Sequence, residues 1–145
     1  MAMIPNEVIA AAKAAWHKWK VPASVSLAQW IVESGWGAHM PAGSNNPFGI
    51  KAIAGHPTVD ALTHEFVHGR YVPITAHFAK FDDIEDAFDA HAKLLATHAA
   101  YHYAMQTTNA EEFAHRLAVH YATDPHYGDK LVASMRKYGL EKYDA

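Results

Sequence analysis

The sequence has no cysteine, which excludes disulfide bonds and catalysis by a thiol. Neither sign of charge dominates, since 12 Lys and Arg stand against 15 Asp and Glu, and this balance gives no electrostatic reason to expect nucleic acid as a partner. Long apolar runs are also lacking. Lys13, His17 and Lys18 interrupt the first apolar stretch, so we expect neither a signal peptide nor insertion into a membrane.

What is present has the composition of a globular protein. Of the 145 residues, 50% are hydrophobic and 19% are charged. A chain of this length buries enough surface to fold as one unit, so we expect residues 1–145 to form a single, monomeric domain.

Apolar residues at helical spacing predict two helices in the first third of the chain. Pro5 stands at the start of the first, and Val8 begins its apolar face. In the second, Ser26 and Gln29 have the spacing of a capping box, which predicts a helix that begins at Ser26. Gly35 is placed to end that helix in the left-handed conformation.

A change of amino-acid composition in the middle of the chain predicts a β-hairpin. Thr, Val, Phe, Tyr and Ile dominate residues 59–81 around Gly69, and the arms are expected near residues 62–67 and 71–78. Helices return after the hairpin, and their predicted starts carry capping or acidic residues: Asp83, Asn109 and Asp124. This order predicts an α+β fold, mainly helical, with a small β-hairpin lobe and a cleft between two lobes.

Residues 33–37, Glu-Ser-Gly-Trp-Gly, place one carboxyl group in the last turn of the second helix. The negative end of the helix dipole and partial burial beside Trp30 and Trp36 both disfavour a charged carboxylate, which predicts a raised pKa for Glu33. A carboxyl group that keeps its proton near neutral pH suits general acid catalysis. An asparagine-rich turn at residues 45–51, Asn-Asn-Pro-Phe-Gly-Ile-Lys, is expected to complete a pocket.

Residues 64–68, His-Glu-Phe-Val-His, match the zinc signature of metallopeptidases. In that signature two histidines on one helical face bind zinc while the glutamate activates water. Thr63, Val67 and Gly69 favour a strand and a turn at this point, and on a strand the glutamate faces away from both histidines. We therefore expect no metal site, and a zinc metallopeptidase is kept only as a remote alternative.

Three segments together resemble the glucosaminidase family of bacterial and phage peptidoglycan hydrolases, which includes flagellar peptidoglycan hydrolases and many autolysins. They are residues 33–37, residues 45–51 and Tyr-Ala-Thr-Asp-Pro at residues 121–125, and the likeness covers nearly the whole chain. The resemblance implies a lysozyme-like fold. It also implies an endo-β-N-acetylglucosaminidase that cleaves the β-1,4 bond between N-acetylglucosamine and N-acetylmuramic acid in peptidoglycan, without a cofactor.

The resemblance also implies roles for individual residues. Glu33 takes the place of the general acid, and Glu65, in a Thr-x-Glu context near Gly69, takes that of the second carboxyl group. Tyr121 is expected to help place the N-acetylglucosamine unit. Three more residues are expected at the sugar site, with a loop anchor as the alternative for Phe48 and a simple wall for Trp36: Trp36, Asn46 and Phe48.

Other functions stay open from the sequence. A lytic transglycosylase or muramidase on the same polymer also relies on a glutamate in a Glu-Ser context, and a glycan-binding module with an inactive site is a further alternative. The expected place of action is the cell wall, in the periplasm or outside the cell. In the absence of an export signal, we expect a phage lysin released through a membrane lesion or a domain exported by another route.

Overall fold

Helices form one lobe and a β-hairpin forms the other in the computed structural model, which describes residues 3–145 except the side chain of Phe66. The α-helices and strands are α1 (Asn6–Trp19), α2 (Ala23–Ser34), β1 (Thr58–Val67), β2 (Arg70–Ala79), α3 (Ile84–Thr97), α4 (His102–Met105), α5 (Ala110–Tyr121) and α6 (Tyr127–Lys137). Short 3-10 helices occur at Ala99–Tyr101 and Leu140–Asp144. Within residues 3–145, no helix has the length and apolar character needed to cross a bilayer. The predicted α+β, mainly helical fold with a hairpin lobe is confirmed.

Helix α2 lies at the centre of the helical lobe. Every residue from Ala23 to Ile31 is buried, and so is Ser34 near its end. Helices α1, α5 and α6 and the last 3-10 helix pack around it. Because neighbours enclose α2 on all sides, its C-terminal turn, which carries Glu33, is held on a closely packed element.

The start of α2 differs from the prediction. The helix begins at Ala23, three residues before Ser26, and Pro22 precedes it without a side-chain cap. Ser26 is buried inside the helix, so the apparent capping box with Gln29 is a coincidence of spacing. The predicted end is correct, since Gly35 adopts φ 56° and ψ 54° there.

The N-terminus of α2 is capped from the other end of the chain. The carboxylate of Asp144 accepts hydrogen bonds from the backbone N–H of Ser24 at 2.8 Å and from its hydroxyl at 2.6 Å. The first N–H groups of a helix have no partner within the helix, and the helix dipole favours a negative charge beside them. Asp144 therefore stabilises the helix that carries Glu33.

The hairpin has the predicted type but longer strands. β1 and β2 pair antiparallel from Thr58 opposite Ala79 to Val67 opposite Arg70. His68 and Gly69 join them, and their φ values of 50° and 82° fit a tight two-residue turn of the kind that matches the strand twist. Glycine adopts such a φ without steric cost, which explains its place in this turn.

The hairpin is anchored at its base and exposed at its tip. Ala76 and Phe78 are buried where β2 meets the helical lobe, whereas Tyr71, near the turn, is 73% exposed. Lys51 forms an isolated antiparallel bridge with Phe78 and so adds to the base of the sheet. The packing of this lobe against the helices is therefore concentrated at its base.

The helix starts after the hairpin are largely as predicted. Asp83 caps α3 and Asn109 caps α5, each with a side-chain oxygen that accepts a backbone N–H. The last helix, α6, begins at Tyr127 rather than directly after Asp124. Asp124 instead accepts the backbone N–H of His126 and closes a turn before the helix.

Replacement of Asp144 by Ala is expected to lower the free energy of unfolding by about 1–2 kcal/mol, because the N-terminus of α2 loses its cap and its favourable charge. Urea unfolding followed by circular dichroism measures this loss. Asp82 is an exposed carboxylate, and its replacement by Ala is the matched control, with an expected effect within about 0.5 kcal/mol. Equal losses in the two variants would contradict this role of Asp144.

Candidate active site

A cleft of about 650 Å³ lies between the two lobes. Its walls come from the end of α2, the two loops that follow it and the inner side of the hairpin. Among the described residues that line it, Glu33 is the one carboxyl group. The lining residues are Glu33, residues 39–42, residues 46–49, residues 61–63 and Phe78.

Glu33 is held by two tyrosines. The hydroxyl of Tyr127 donates to Oε2 of Glu33 at 3.0 Å, and Tyr121 also forms a side-chain hydrogen bond with this carboxyl group. Burial raises the pKa of Glu33 to about 8, against the lowering effect of the two hydrogen bonds. The group therefore keeps its proton at neutral pH, in the direction expected from its position.

The chain leaves α2 immediately after Glu33. Gly35, Trp36 and Gly37 have successive φ values of 56°, 62° and 82°, all in the left-handed region. Glycine suits such a position, and a Cβ at residue 35 would also stand 2.6 Å from the ring of His39. This turn ends the helix so sharply that the Glu33 side chain lies at its free end.

A line of rings connects the cleft wall to Glu33. Tyr127 and Tyr121 stack nearly parallel, with centroids 5.6 Å apart, and Tyr121 meets His91 edge-on at 6.0 Å. His91 in turn stacks on Phe48 at 3.9 Å. Burial lowers the pKa of His91 to about 3, so this ring is neutral under ordinary conditions.

Comparison with known proteins places this arrangement in a family. The family model for glucosaminidases, described as mannosyl-glycoprotein endo-beta-N-acetylglucosaminidase, matches residues 9–140. The chain belongs to the glucosaminidase family.

Individual relatives agree with this assignment. The exo-glucosaminidase LytG of Bacillus subtilis is 35% identical over 136 residues, which are 89% of this chain and 48% of LytG. The catalytic domain of the autolysin Auto from Listeria monocytogenes matches with a TM-score of 0.86 at 27% identity, covering 99% of this chain and 91% of that one. A peptidoglycan hydrolase mutant from Sphingomonas sp. A1 has a TM-score of 0.79 at 31% identity, with 92% of each chain covered. The chain thus spans about half the length of LytG and nearly all of both solved structures.

Two residues of this glucosaminidase-family site were not predicted as site residues. Tyr127, which bonds Glu33, lies in the same C-terminal segment as Tyr121, and Gln29 donates from Nε2 to the Tyr127 hydroxyl at 3.1 Å. Gln29 lies four residues before Glu33, which puts both on one face of α2, and that spacing is the signal that points to it.

Asn46 lines the cleft but has no hydrogen bond left for a sugar. Its Nδ2 donates to the carbonyls of Ile50 and Ala79 at 2.8 and 3.0 Å. Its Oδ1 accepts the N–H groups of Phe48 and Ile50 at 3.3 and 3.2 Å. An amide side chain offers two donors and two acceptor positions, and all are used. Asn46 therefore has a structural role, because it fixes the loop to β2, and its contact with a sugar stays a prediction.

Phe48 also lines the cleft, yet its ring is 4% exposed. It packs edge-on against Phe88 at 4.9 Å and face to face on His91. A ring covered on these sides offers little surface to a sugar. The alternative of a loop anchor fits this position.

Trp36 does not line the cleft. Its ring meets those of Trp30 and Tyr138 edge-on, at 5.9 and 4.8 Å. It lines a separate pocket of about 620 Å³ that also includes Ile4 and Tyr143. Trp36 thus anchors the turn after α2 to the helical lobe, and its place at the sugar site stays a prediction.

Glu65 lies on β1, opposite Val72, and its side chain is 50% exposed. It is not among the cleft-lining residues, although Thr63, two positions earlier on the same strand face, is. The ammonium of Lys51 lies 3.5 Å from Oε1 of Glu65. The structure therefore brings Tyr121 to Glu33 but leaves Glu65 at the rim.

Lys51 contacts two parts of the hairpin. Its ammonium lies 5.5 Å from the ring centroid of Phe78, near the base of β2, as well as close to Glu65 on β1. Lys51 therefore links the loop before the hairpin to both of its strands.

The zinc-signature segment has the wrong geometry for a metallopeptidase. His64 and Glu65 lie on β1, and His68 lies in the turn, so no helical face presents the two histidines. Among residues 3–145, no group of three or more His, Asp or Glu side chains is placed to hold a metal ion.

Replacement of Asn46 by Ala is expected to lower the free energy of unfolding by about 2–4 kcal/mol, because it leaves two carbonyls and two N–H groups without their partner. Chemical denaturation measures the loss. The matched control is Ala in place of Asn6, an exposed residue at the start of α1. A variant with unchanged stability and weaker substrate binding would instead support a sugar contact.

Glu33→Gln is expected to be more stable than the native chain at about pH 8, by at least about 1 kcal/mol. The folded pKa of Glu33, about 8, lies above the ordinary 4.5, so the unfolded state releases a proton that the folded state retains. Stability is therefore lost as pH rises through this window, and Gln removes that loss. Urea unfolding at about pH 4, 6 and 8 tests it. An advantage that does not grow with pH would contradict the raised pKa.

Proposed function

We propose that this domain hydrolyses the β-1,4 bond between N-acetylglucosamine and N-acetylmuramic acid in bacterial peptidoglycan, as an endo-β-N-acetylglucosaminidase. The observation that carries the proposal is the partly exposed Glu33 at the cleft, whose pKa is raised to about 8 by the removal of its carboxyl group from water. Membership of the glucosaminidase family supports the reaction class. Relatives described as peptidoglycan hydrolases and as an autolysin support the polymer.

In this proposal Glu33 donates its proton to the glycosidic oxygen as the bond breaks. A neutral leaving group then departs from a sugar ring that gains positive charge. Because its pKa is about 8, most molecules carry this proton at neutral pH. Tyr121, which bonds the same carboxyl group, helps to place the N-acetylglucosamine unit beside it.

Glu65 is proposed as the second carboxyl group, either as a base that activates water or as a stabiliser of the positive charge. Its position on β1, two residues after the cleft-lining Thr63, supports this role. The ion pair with Lys51 holds it at the rim. Movement of the hairpin tip, which is exposed, then brings Glu65 over the bound glycan.

One observation favours a second candidate, a lytic transglycosylase or muramidase on the same polymer. Glu33 is the one carboxyl group among the described cleft-lining residues, and a single glutamate is sufficient for a transglycosylase. These enzymes cut on the other side of N-acetylmuramic acid, so their products have different ends. For either candidate the place of action is the cell wall.

Mass spectrometry of fragments from purified peptidoglycan, before and after borohydride reduction, is expected to find reduced N-acetylglucosamine ends. Glu33→Gln is expected to lower the rate by about 10³-fold or more, because the proton donor is lost. Glu85, an exposed carboxyl group on α3, provides the matched control Glu85→Gln, with an unchanged rate.

Each other outcome has a defined meaning. Anhydro-muramic ends would identify a transglycosylase, and reduced muramic ends a muramidase. Products limited to units released from strand ends would identify an exo-acting enzyme, as LytG is named. Intact peptidoglycan, or equal rates for Glu33→Gln and the native chain, would overturn the proposed function.

A further inference from the structure

A chain of two hydrogen bonds leads from the core of α2 to the candidate acid. Gln29 is completely buried on α2, and its Nε2 donates to the hydroxyl of Tyr127 at 3.1 Å. That hydroxyl donates to Oε2 of Glu33 at 3.0 Å. The three groups therefore form a continuous chain of hydrogen bonds, and both ends belong to the same helix.

The direction of the bonds in this chain follows from the chemistry of its members. A phenol has one hydrogen, which it can give to only one partner at a time. Because the Nε2 group of Gln29 is a donor without acceptor capacity, it occupies the oxygen of Tyr127 and not its hydrogen. The hydrogen of Tyr127 is then committed to Glu33.

We propose that Gln29 is a positioning residue that acts through Tyr127: it keeps the Tyr127 hydrogen on Oε2 of Glu33, so that Oε1 carries the proton given to the substrate. The inference rests on the proposed function for its catalytic consequence. Without Gln29, the oxygen of Tyr127 is free to accept a hydrogen bond from a proton on Oε2 of Glu33. The proton of the acid then points to Tyr127 and not to the leaving oxygen of the substrate.

The cost of burying Gln29 supports a role beyond packing. Its Oε1 is buried and has no hydrogen-bond partner within the described part of the chain. A buried polar atom without a partner destabilises a fold, and Leu or Met of similar size avoids this loss. What distinguishes Gln29 on α2 is the bond of its Nε2 to Tyr127, which links this buried amide to Glu33.

The aromatic packing restricts Tyr127 to this geometry. Its ring stacks on Tyr121 with planes only 6° apart, and the residue is 5% exposed. A ring held in this way cannot turn to another partner, so the choice left to the hydroxyl is the direction of its hydrogen. Gln29 is the group that decides this direction.

A double-mutant cycle tests the proposal with Gln29→Leu, Tyr127→Phe and the combined variant. Gln29→Leu is expected to lower kcat about tenfold with little change in KM, and to move the alkaline limb of the pH–rate profile up by about one unit. Tyr127→Phe is expected to do at least as much. The combined variant is expected to equal Tyr127→Phe alone, because Gln29 acts only through Tyr127.

Ser26→Ala is the matched control. Ser26 is also buried on α2 with an unpartnered hydroxyl, but it is not part of the chain to Glu33. The expected result is an unchanged pH profile. Gln29→Leu is expected to have an unchanged or higher Tm, so a lower Tm with no shift of the alkaline limb would overturn the proposal. A full effect of Gln29→Leu in the Tyr127→Phe background would overturn it too.

Carbon NMR titration of the Glu33 carboxyl group tests the same chain without substrate. Both Gln29→Leu and Tyr127→Phe are expected to raise its pKa, which is about 8 in the native chain, by about one unit. An unchanged pKa in Gln29→Leu would overturn the inference. This measurement does not depend on cleavage. It therefore still tests the role of Gln29 if the proposed function proves wrong.

Discussion

The hydrogen bond from Tyr127 to Glu33 joins the first turn of α6 to the free end of α2, across 94 residues of sequence, and the layout of the site follows from it. It places Tyr121 parallel to Tyr127, which in turn positions His91 and the loop that carries Phe48. It also gives the carboxyl group of Glu33 an uncharged hydrogen-bond donor as its partner. A cation in the same position would strip Glu33 of its proton at neutral pH.

The two lobes differ in how firmly their parts are held by packing and hydrogen bonds. The helical lobe encloses α2 and caps it with Asp144, so the acid has little freedom. The hairpin is tied at its base by Asn46 and Lys51, while its tip is exposed. The proposed proton donor is thus carried by the firmly packed lobe, opposite a wall whose tip is exposed.

Features set by neighbouring residues were predictable from the sequence, and features set by distant contacts were not. Gly35 ends α2 as expected, and Gly69 forms the hairpin turn. The predicted helix start at Ser26 rested on a correct local spacing, but Ser26 is buried inside the helix. Trp36 and Asn46 belong to the predicted segments, yet each also has a partner far along the chain, Tyr138 and Ala79, that no local pattern identifies. The same holds for Tyr127, whose ring reaches Glu33 from α6.

The buried wall of the site has a further property: it carries no formal charge between about pH 3 and about pH 8. His91 is neutral above the lower limit and Glu33 is protonated below the upper one, and burial also raises the pKa of Tyr121. Dissolved ions therefore find nothing to screen there. They act on the exposed pair of Lys51 and Glu65 at the rim. Within the site, ionic strength therefore acts on the ion pair at the hairpin and not on the buried wall.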